Sequence, residues 1–337
     1  MSKKVFDYNR ITKIGIEGPS SLLEKIAENL ESEVTHNTGV DCLIRINITK
    51  HPVEIIKDKR FDYLTVTKTR TEDQQTISYK RYNTYVRTIR KKSPTLYEVD
   101  VNINLDEASG LICIRNYLNN HPLLSQYPLL HASLLNLNGI GVLIPGFYKR
   151  GKTTLSVYLL QEQKANFVSD ENVILESSDD GIRGLYVPRT IRVRFSTIAE
   201  SKLSKVLENI TIANATQYID QDAIERIIKA RKFNVDAGIA FSRKAFCNLL
   251  GTNSQESSSI DLVIFPNYSE SMKIRKIDSQ LGIERLSSFG LIRKSKISPR
   301  ELEQAKIDLS QYNFRRIDFL EVGFSSMESL KQMSFRI

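Results

Sequence analysis

The residues with the most chemical potential stand in one short stretch. Gly146-Phe147-Tyr148-Lys149-Arg150-Gly151-Lys152-Thr153 fits the pattern G-x-x-x-x-G-K-[ST], and Thr154 follows it. Glycines at either end of such an octet let the backbone curl until several N–H groups converge on one phosphate. A helix starting at Lys152 would point the positive end of its dipole at the same place. Lys152 is then expected to reach the β and γ phosphates of a nucleotide, and the Thr153 hydroxyl to ligate Mg²⁺.

Eighteen residues past Lys152 comes FVSDENVIL, with Asp170 and Glu171 after a short apolar run. A carboxylate at that strand's end would lie beside the loop in a parallel α/β arrangement. It could hold Mg²⁺ or accept a proton from an attacking hydroxyl. Asp-Glu-Asn is also good turn chemistry, so a plain polar turn is the competing reading. His131 lies on the strand before the loop strand, where a lone histidine is either a satisfied core residue or part of the site. His121 ends a helix in NNHP, and His36 and His51 flank a strand.

These groups need elements to position them. GVLIP (141–145) reads as a fully apolar strand leading into the loop, and residues 152–163 read as the helix leaving it. LLHASLLNL (129–137) is expected to be one strand, joined to GVLIP by a turn at Asn138-Gly139. FVS (167–169), NVILES (172–177), LYVP, IRVRF and LVIFP (262–266) are further strands, with a DDG turn at 179–181. Helices are expected near 198–208, 220–231, 243–250 and 299–308.

The first hundred residues read differently. Residues 10–17 form a strand, and residues 20–31 a helix with Leu22, Leu23, Ile26 and Leu30 on one face. DCLIRINIT, FDYLTVTKT, TISYKRY, TYVRTIRK and YEVDVNINL then follow as strands of an antiparallel sheet with one wet face. Residues 106–120 are expected to be helical. A domain boundary is placed near residues 118–125.

Composition bounds the function. The chain has 337 residues, 41% hydrophobic and 26% charged, which suits a soluble globular protein and excludes a disordered or fibrous one. No apolar run approaches a membrane span, and MSKKVFDYNR has no apolar region of the secretory kind. Cys42, Cys113 and Cys247 are odd in number and far apart, which fits a reducing cytoplasm. Four histidines leave a zinc hydrolase few ligands. The net charge of +9 is spread along the chain, which favours anionic partners such as nucleotides or acidic peptides. There is no concentrated basic tract and no tryptophan, which argues against nucleic acid, although 14 Tyr and 14 Phe keep stacking open.

HASLLNLNGIGVLIPGFYKRGKTTLSVYLL followed by FVSDENVIL resembles the C-terminal domain of HPr kinase/phosphorylase and its relatives. In that family a histidine strand, a turn, an apolar strand, the phosphate loop, a helix and an acidic strand-end pair come in this order. The resemblance covers roughly residues 125–337 and is specific from 131 to 175. PRTIRVRF (188–195) looks like the family's basic Pro-Arg strand, and DLVIFPNY (261–268) like its late buried strand.

The resemblance implies a phosphoenolpyruvate-carboxykinase-like P-loop fold. It implies that Gly146 to Thr154 bind the nucleotide, that Asp170 and Glu171 are the family's acidic pair, and that His131 is its histidine. Thr153 and Asp170 would be the metal ligands, and Arg189 the added phosphate or substrate contact. There are departures. The loop has Tyr148-Lys149-Arg150 in place of the usual Ser-Gly lead, and the segment after the pair lacks the family's metal-binding glutamate. Phosphorylase activity and HPr as substrate are therefore not carried over. Some relatives phosphorylate a serine of a ribosomally made peptide, lasso-peptide precursors among them.

The expectation is a mixed α+β and α/β protein: a strand-rich accessory domain over 1–118, then a P-loop kinase domain over 119–337. It would be a cytoplasmic Mg-ATP-dependent kinase, acting on a Ser or Thr hydroxyl of a peptide or protein. The first domain would hold the acceptor through an exposed sheet edge, and the basic stretch Lys80 to Lys92 would either draw an acidic acceptor or be a solvated hairpin face. A small-molecule or carboxykinase-like enzyme and a nucleotide-binding regulator or RNA-interacting NTPase are the alternatives. The oligomeric state stays open, a homo-oligomer among the options.

Overall fold

Alternating apolar and polar residues give one face of a strand to the core, and most of the chain is built on that pattern. The computed structural model describes residues 2–8, 12–30, 40–48, 66–70, 74–79, 85–93, 96–101, 127–147, 150–178, 181–205, 238–293 and 302–331. The chain divides into two compact units. One comprises Met1–Ser125 with Arg293–Leu302, the other Gln126–Ile292 with Glu303–Ile337.

The first unit carries a seven-stranded sheet: β1 (Ser2–Tyr8), β2 (Thr12–Gly18), β3 (Cys42–Ile48), β4 (Val66–Arg70), β5 (Gln74–Tyr79), β6 (Tyr85–Ser93) and β7 (Leu96–Val101). Their order is β1-β2-β3-β7-β6-β5-β4. The sheet is mixed rather than antiparallel, because β2, β3 and β7 run parallel. Alternation reports which face is wet, not strand direction. The helix Ser20–Leu30 makes the crossover from β2 to β3, and Leu22, Leu23 and Ile26 are fully buried. β1 was not anticipated, since Lys3 and Lys4 mask its alternation. The expected helix over 106–120 and the side chains from Lys80 to Lys92 lie outside the described residues.

The second unit holds the loop. Strands β8 (Leu129–Leu130), β9 (Ala132–Leu137), β10 (Ile140–Pro145), β11 (Asn166–Ser169), β12 (Val173–Ser178), β13 (Gly181–Tyr186), β14 (Ile191–Arg194), β15 (Gly238–Phe241), β16 (Ser257–Ser259), β17 (Leu262–Tyr268), β18 (Lys273–Ile277), β19 (Gly290–Arg293), β20 (Leu302–Ala305) and β21 (Asp318–Phe324) follow in order. They form sheets ordered β11-β9-β10-β17-β21-β18 and β16-β13-β12-β8-β19-β20, and a β14-β15 pair.

Four expectations needed correction. The strand read over 129–137 breaks at His131, with β8 in one sheet and β9 in the other. Leu302–Ala305 is a strand, not part of a helix over 299–308, because pairing at a sheet edge overrides the helical propensity of Glu-Gln-Ala. The helix expected from 198 begins at Phe195 and ends at Ala199, followed by a short 3₁₀ turn over Lys202–Ser204. The strand through LYVP stops at Tyr186, short of Pro188. The helix expected over 220–231 falls outside the described residues.

The turn Asn138-Gly139 is as expected, with φ of 53° and 93°. Both values belong to the left-handed region that tight hairpins need. β10, β17 and β21 run parallel, so their carboxyl ends share one edge. β9 runs against β10, and β11 against β9, which brings His131 and Asp170 to that same edge. The helix Lys152–Glu162 packs beneath the loop with eight of its residues buried, including Leu155, Val157, Tyr158, Leu159 and Leu160.

Candidate active site

β10 ends at Pro145, and the chain turns at Gly146, whose N–H donates to the His131 carbonyl at 3.2 Å. Arg150 N–H bonds back to the Phe147 carbonyl at 3.2 Å, which tightens the loop. Gly151 has φ of 89°, and a β-carbon there would stand 2.6 Å from the Phe324 ring. Both facts demand glycine. The helix then starts at Lys152, whose neighbours Thr153 and Thr154 are half-buried. Thr154 Oγ1 lies 2.9 Å from Thr197 Oγ1. Tyr148 and Lys149 lie outside the described residues.

Lys152 reaches the acidic pair. Its Nζ donates to Asp170 Oδ1 at 2.6 Å and to Glu171 Oε1 at 3.3 Å. The Lys152 and Asp170 side chains are 5% and 3% exposed, so this is a buried ion pair. Ser133 Oγ also donates to Asp170 Oδ1. Asp170 Oδ2 is buried and accepts no hydrogen bond from any described residue. A buried acceptor in that condition suits a cation or a donor brought by a ligand.

Glu171 sits in the left-handed region, with φ of 68°, which is strained backbone for a residue other than glycine. Its carboxylate meets three cationic or donor groups. His131 Nε2 is 3.0 Å from Oε2, Arg189 Nη1 is 3.8 Å from the same oxygen, and Lys152 holds Oε1. The pair is thus tied to His131, Lys152 and Arg189.

The electrostatics follow. Burial pushes the Lys152 amine down, but Asp170 and Glu171 outweigh it and hold its pKa above the ordinary 10.5. Burial pushes the Glu171 carboxyl up, yet Lys152, the His131 hydrogen bond and Arg189 hold it well below the ordinary 4.5. Both groups are therefore charged across the neutral range. Arg189 Nε is buried and makes no hydrogen bond to any described residue.

The structure brings together His131, Lys152, Asp170, Glu171 and Arg189 at the carboxyl edge of the sheet. Sequence reasoning missed their supports. Ser133 is the polar residue in the otherwise apolar run Ala132–Leu135, and that was the available signal. Phe289 accepts the His131 N–H at 2.8 Å through its carbonyl, and its ring stacks on Phe147 at 4.5 Å. Phe147 in turn meets the His131 ring edge-on at 5.9 Å. Arg243, 1% exposed, binds Glu256 and the Gln255 carbonyl and lies over Tyr186. It fixes the segment whose Gln255 N–H pairs with the Phe167 carbonyl of β11, the strand leading to Asp170.

The residues fit a magnesium-bound nucleotide in part. The glycine-bounded turn, the helix start and the orphaned Asp170 oxygen are suited to phosphate and cation. Among the described residues no three His, Cys, Asp or Glu side chains gather into a metal cage. Among the described residues no helix is long and apolar enough to cross a membrane.

Neither a protein-family model nor a curated protein matches the sequence. Among solved structures, the chain is similar to the Hpr(Ser) kinase/phosphatase from Coxiella burnetii. Identity is 15%, over 60% of this chain and 94% of that one, with a TM-score of 0.25. The likeness is distant and one of fold at most, so the functional reading rests on the site itself.

Proposed function

We propose that this protein is a Mg-ATP-dependent phosphotransferase acting on a Ser or Thr hydroxyl of a peptide or protein. The observation that carries this is the contact of Lys152, on the helix that leaves a glycine-bounded loop, with an acidic strand-end pair that also binds His131 and Arg189. One structural unit thus offers phosphate donors, a cation-seeking oxygen and an ionised carboxylate together.

Magnesium-bound ATP would supply the transferable phosphoryl group and much of its charge neutralisation. The loop amides and Lys152 hold phosphate oxygens. Thr153 and Asp170 offer oxygens to the metal. Glu171 accepts the proton of the acceptor hydroxyl, and His131 and Arg189 fix its orientation. A carboxyl held well below its ordinary pKa is a weak base. Lys152 turning from the pair to phosphate would raise it toward a useful value. The strand-rich residues 1–118 would hold the acceptor.

The test is transfer of label from γ-labelled ATP to a library of seryl and threonyl peptides by the full chain. Label on a peptide hydroxyl, lost in Glu171→Gln, is the expected result. Label found only in free phosphate, RNA or a small metabolite would overturn the reading.

A further inference from the structure

Pro266, Tyr268 and Phe324 share one face of the sheet beside the glycine-bounded loop. Pro266 Cγ is 3.5 Å from where a β-carbon of Gly146 would stand, and the Phe324 ring presses on Gly151. Both therefore face the loop. Tyr268 follows Pro266 by two residues on β17, so its side chain leaves the strand on that same face. The parallel register sets Tyr268 directly beside Phe324. On the other side, β18 places Lys273 opposite Gly323, which brings the half-buried Met272 next to Phe324.

The row thus runs Tyr268, Phe324, Met272 along the carboxyl edge of the sheet, all on the loop's face. Phe324 and Met272 are covered, at 5% exposure and half-buried. Tyr268 is 73% exposed, the most open of the large apolar side chains in the described residues. It stands one strand over from β10, which feeds the loop. Ligands of open α/β sheets lie outside the carboxyl ends of the strands, which is where this ring projects.

We infer that Tyr268 is the platform on which the nucleobase of the bound nucleotide stacks, an inference that rests on the nucleotide reading of the loop. An aromatic face gives a base apolar contact and π stacking without reading its hydrogen-bonding edges. The backbone that carries the ring is fixed at the end of β17 by Ser269 N–H, which donates to the Phe324 carbonyl at 3.2 Å. Its exposure is then the open half of a site that a purine completes.

The experiment is calorimetric binding of ATP and of inorganic triphosphate, each with Mg²⁺, to the full chain and to Tyr268→Ala and Tyr268→Phe. ATP affinity should fall roughly tenfold in Tyr268→Ala and hold within about twofold in Tyr268→Phe, while triphosphate affinity is unchanged in both. Unchanged ATP affinity in Tyr268→Ala would overturn the inference. So would an equal loss for ATP and triphosphate, which would mark a defect of the loop. Failure of the unaltered chain to bind either ligand would remove the nucleotide reading, and this inference with it. Tyr268 is on the surface, and matched melting temperatures confirm that the variants fold.

Discussion

Lys152 Nζ lies 2.6 Å from Asp170 Oδ1, and both side chains are shut off from water. Lys152 is therefore already engaged, and a phosphate would have to compete with a carboxylate for it. Removing one partner strands the other as an uncompensated buried charge. Lys152→Ala should destabilise the fold by about 3–5 kcal/mol as well as weaken ATP binding. Lys152→Met with Asp170→Asn should recover most of the stability and none of the affinity. Urea unfolding alongside calorimetry separates the two effects. A stable Lys152→Ala with normal turnover would dismiss the loop assignment.

Glu171 should matter to turnover more than to binding. Its Glu171→Gln variant keeps the shape and loses the proton acceptor, so kcat should fall about 10²–10⁴-fold with little change in nucleotide affinity. Asp170→Asn is measured separately, since its orphaned oxygen suits the metal. It should shift the Mg²⁺ dependence as well as the rate. Near-normal turnover in both would leave the pair a structural turn.

The acid limb of stability carries a sign. Glu171 has a folded-state pKa well below 4.5, so it contributes stability above its unfolded pKa. That contribution is lost as pH falls through the folded value. Unfolding midpoints of the unaltered chain and Glu171→Gln should differ by a constant amount above about pH 5 and converge below it. Lys152 works the opposite way: its raised pKa gives stability that persists up to 10.5 and fades only above it. A difference that widens in acid would contradict the geometry.

Gly151 is held from two sides, by its φ of 89° and by the Phe324 ring. Gly151→Ala should cost about 1–3 kcal/mol in stability and depress ATP affinity, because the loop must shift. Gly151→Ala with Phe324→Leu should regain part of the affinity through relief of the contact. If the double variant is no better than the single, backbone strain alone explains the loss.

The glycine-bounded turn, its flanking strand and helix, and the acidic strand end were legible because each is local. A glycine-lysine octet between an apolar strand and a helix needs no knowledge of distant chain. The break at His131 was not legible, since LLHASLLNL alternates no differently where it passes between sheets. Phe289 and Arg243 were hidden for another reason. Their partners are 142 and 13 residues away or come through a carbonyl, and only the fold brings them together. Leu302–Ala305 was misread because edge pairing, absent from local sequence, outweighs propensity.

The helix Lys152–Glu162 has almost no wet side, with eight of its eleven residues buried. Such an element cannot fray or tilt by itself without exposing core. The hydrogen-bonded amides of the helix body should therefore exchange with deuterium only when the whole unit opens, whereas the first-turn amides, which have no intrahelical partner, exchange without that opening. The loop's readiness to bind is then an all-or-none property. In reversible folding the ligand draws the unfolded fraction back, so a stability variant far from the loop should lower the apparent affinity in proportion to its folded fraction while the full stoichiometry is still reached.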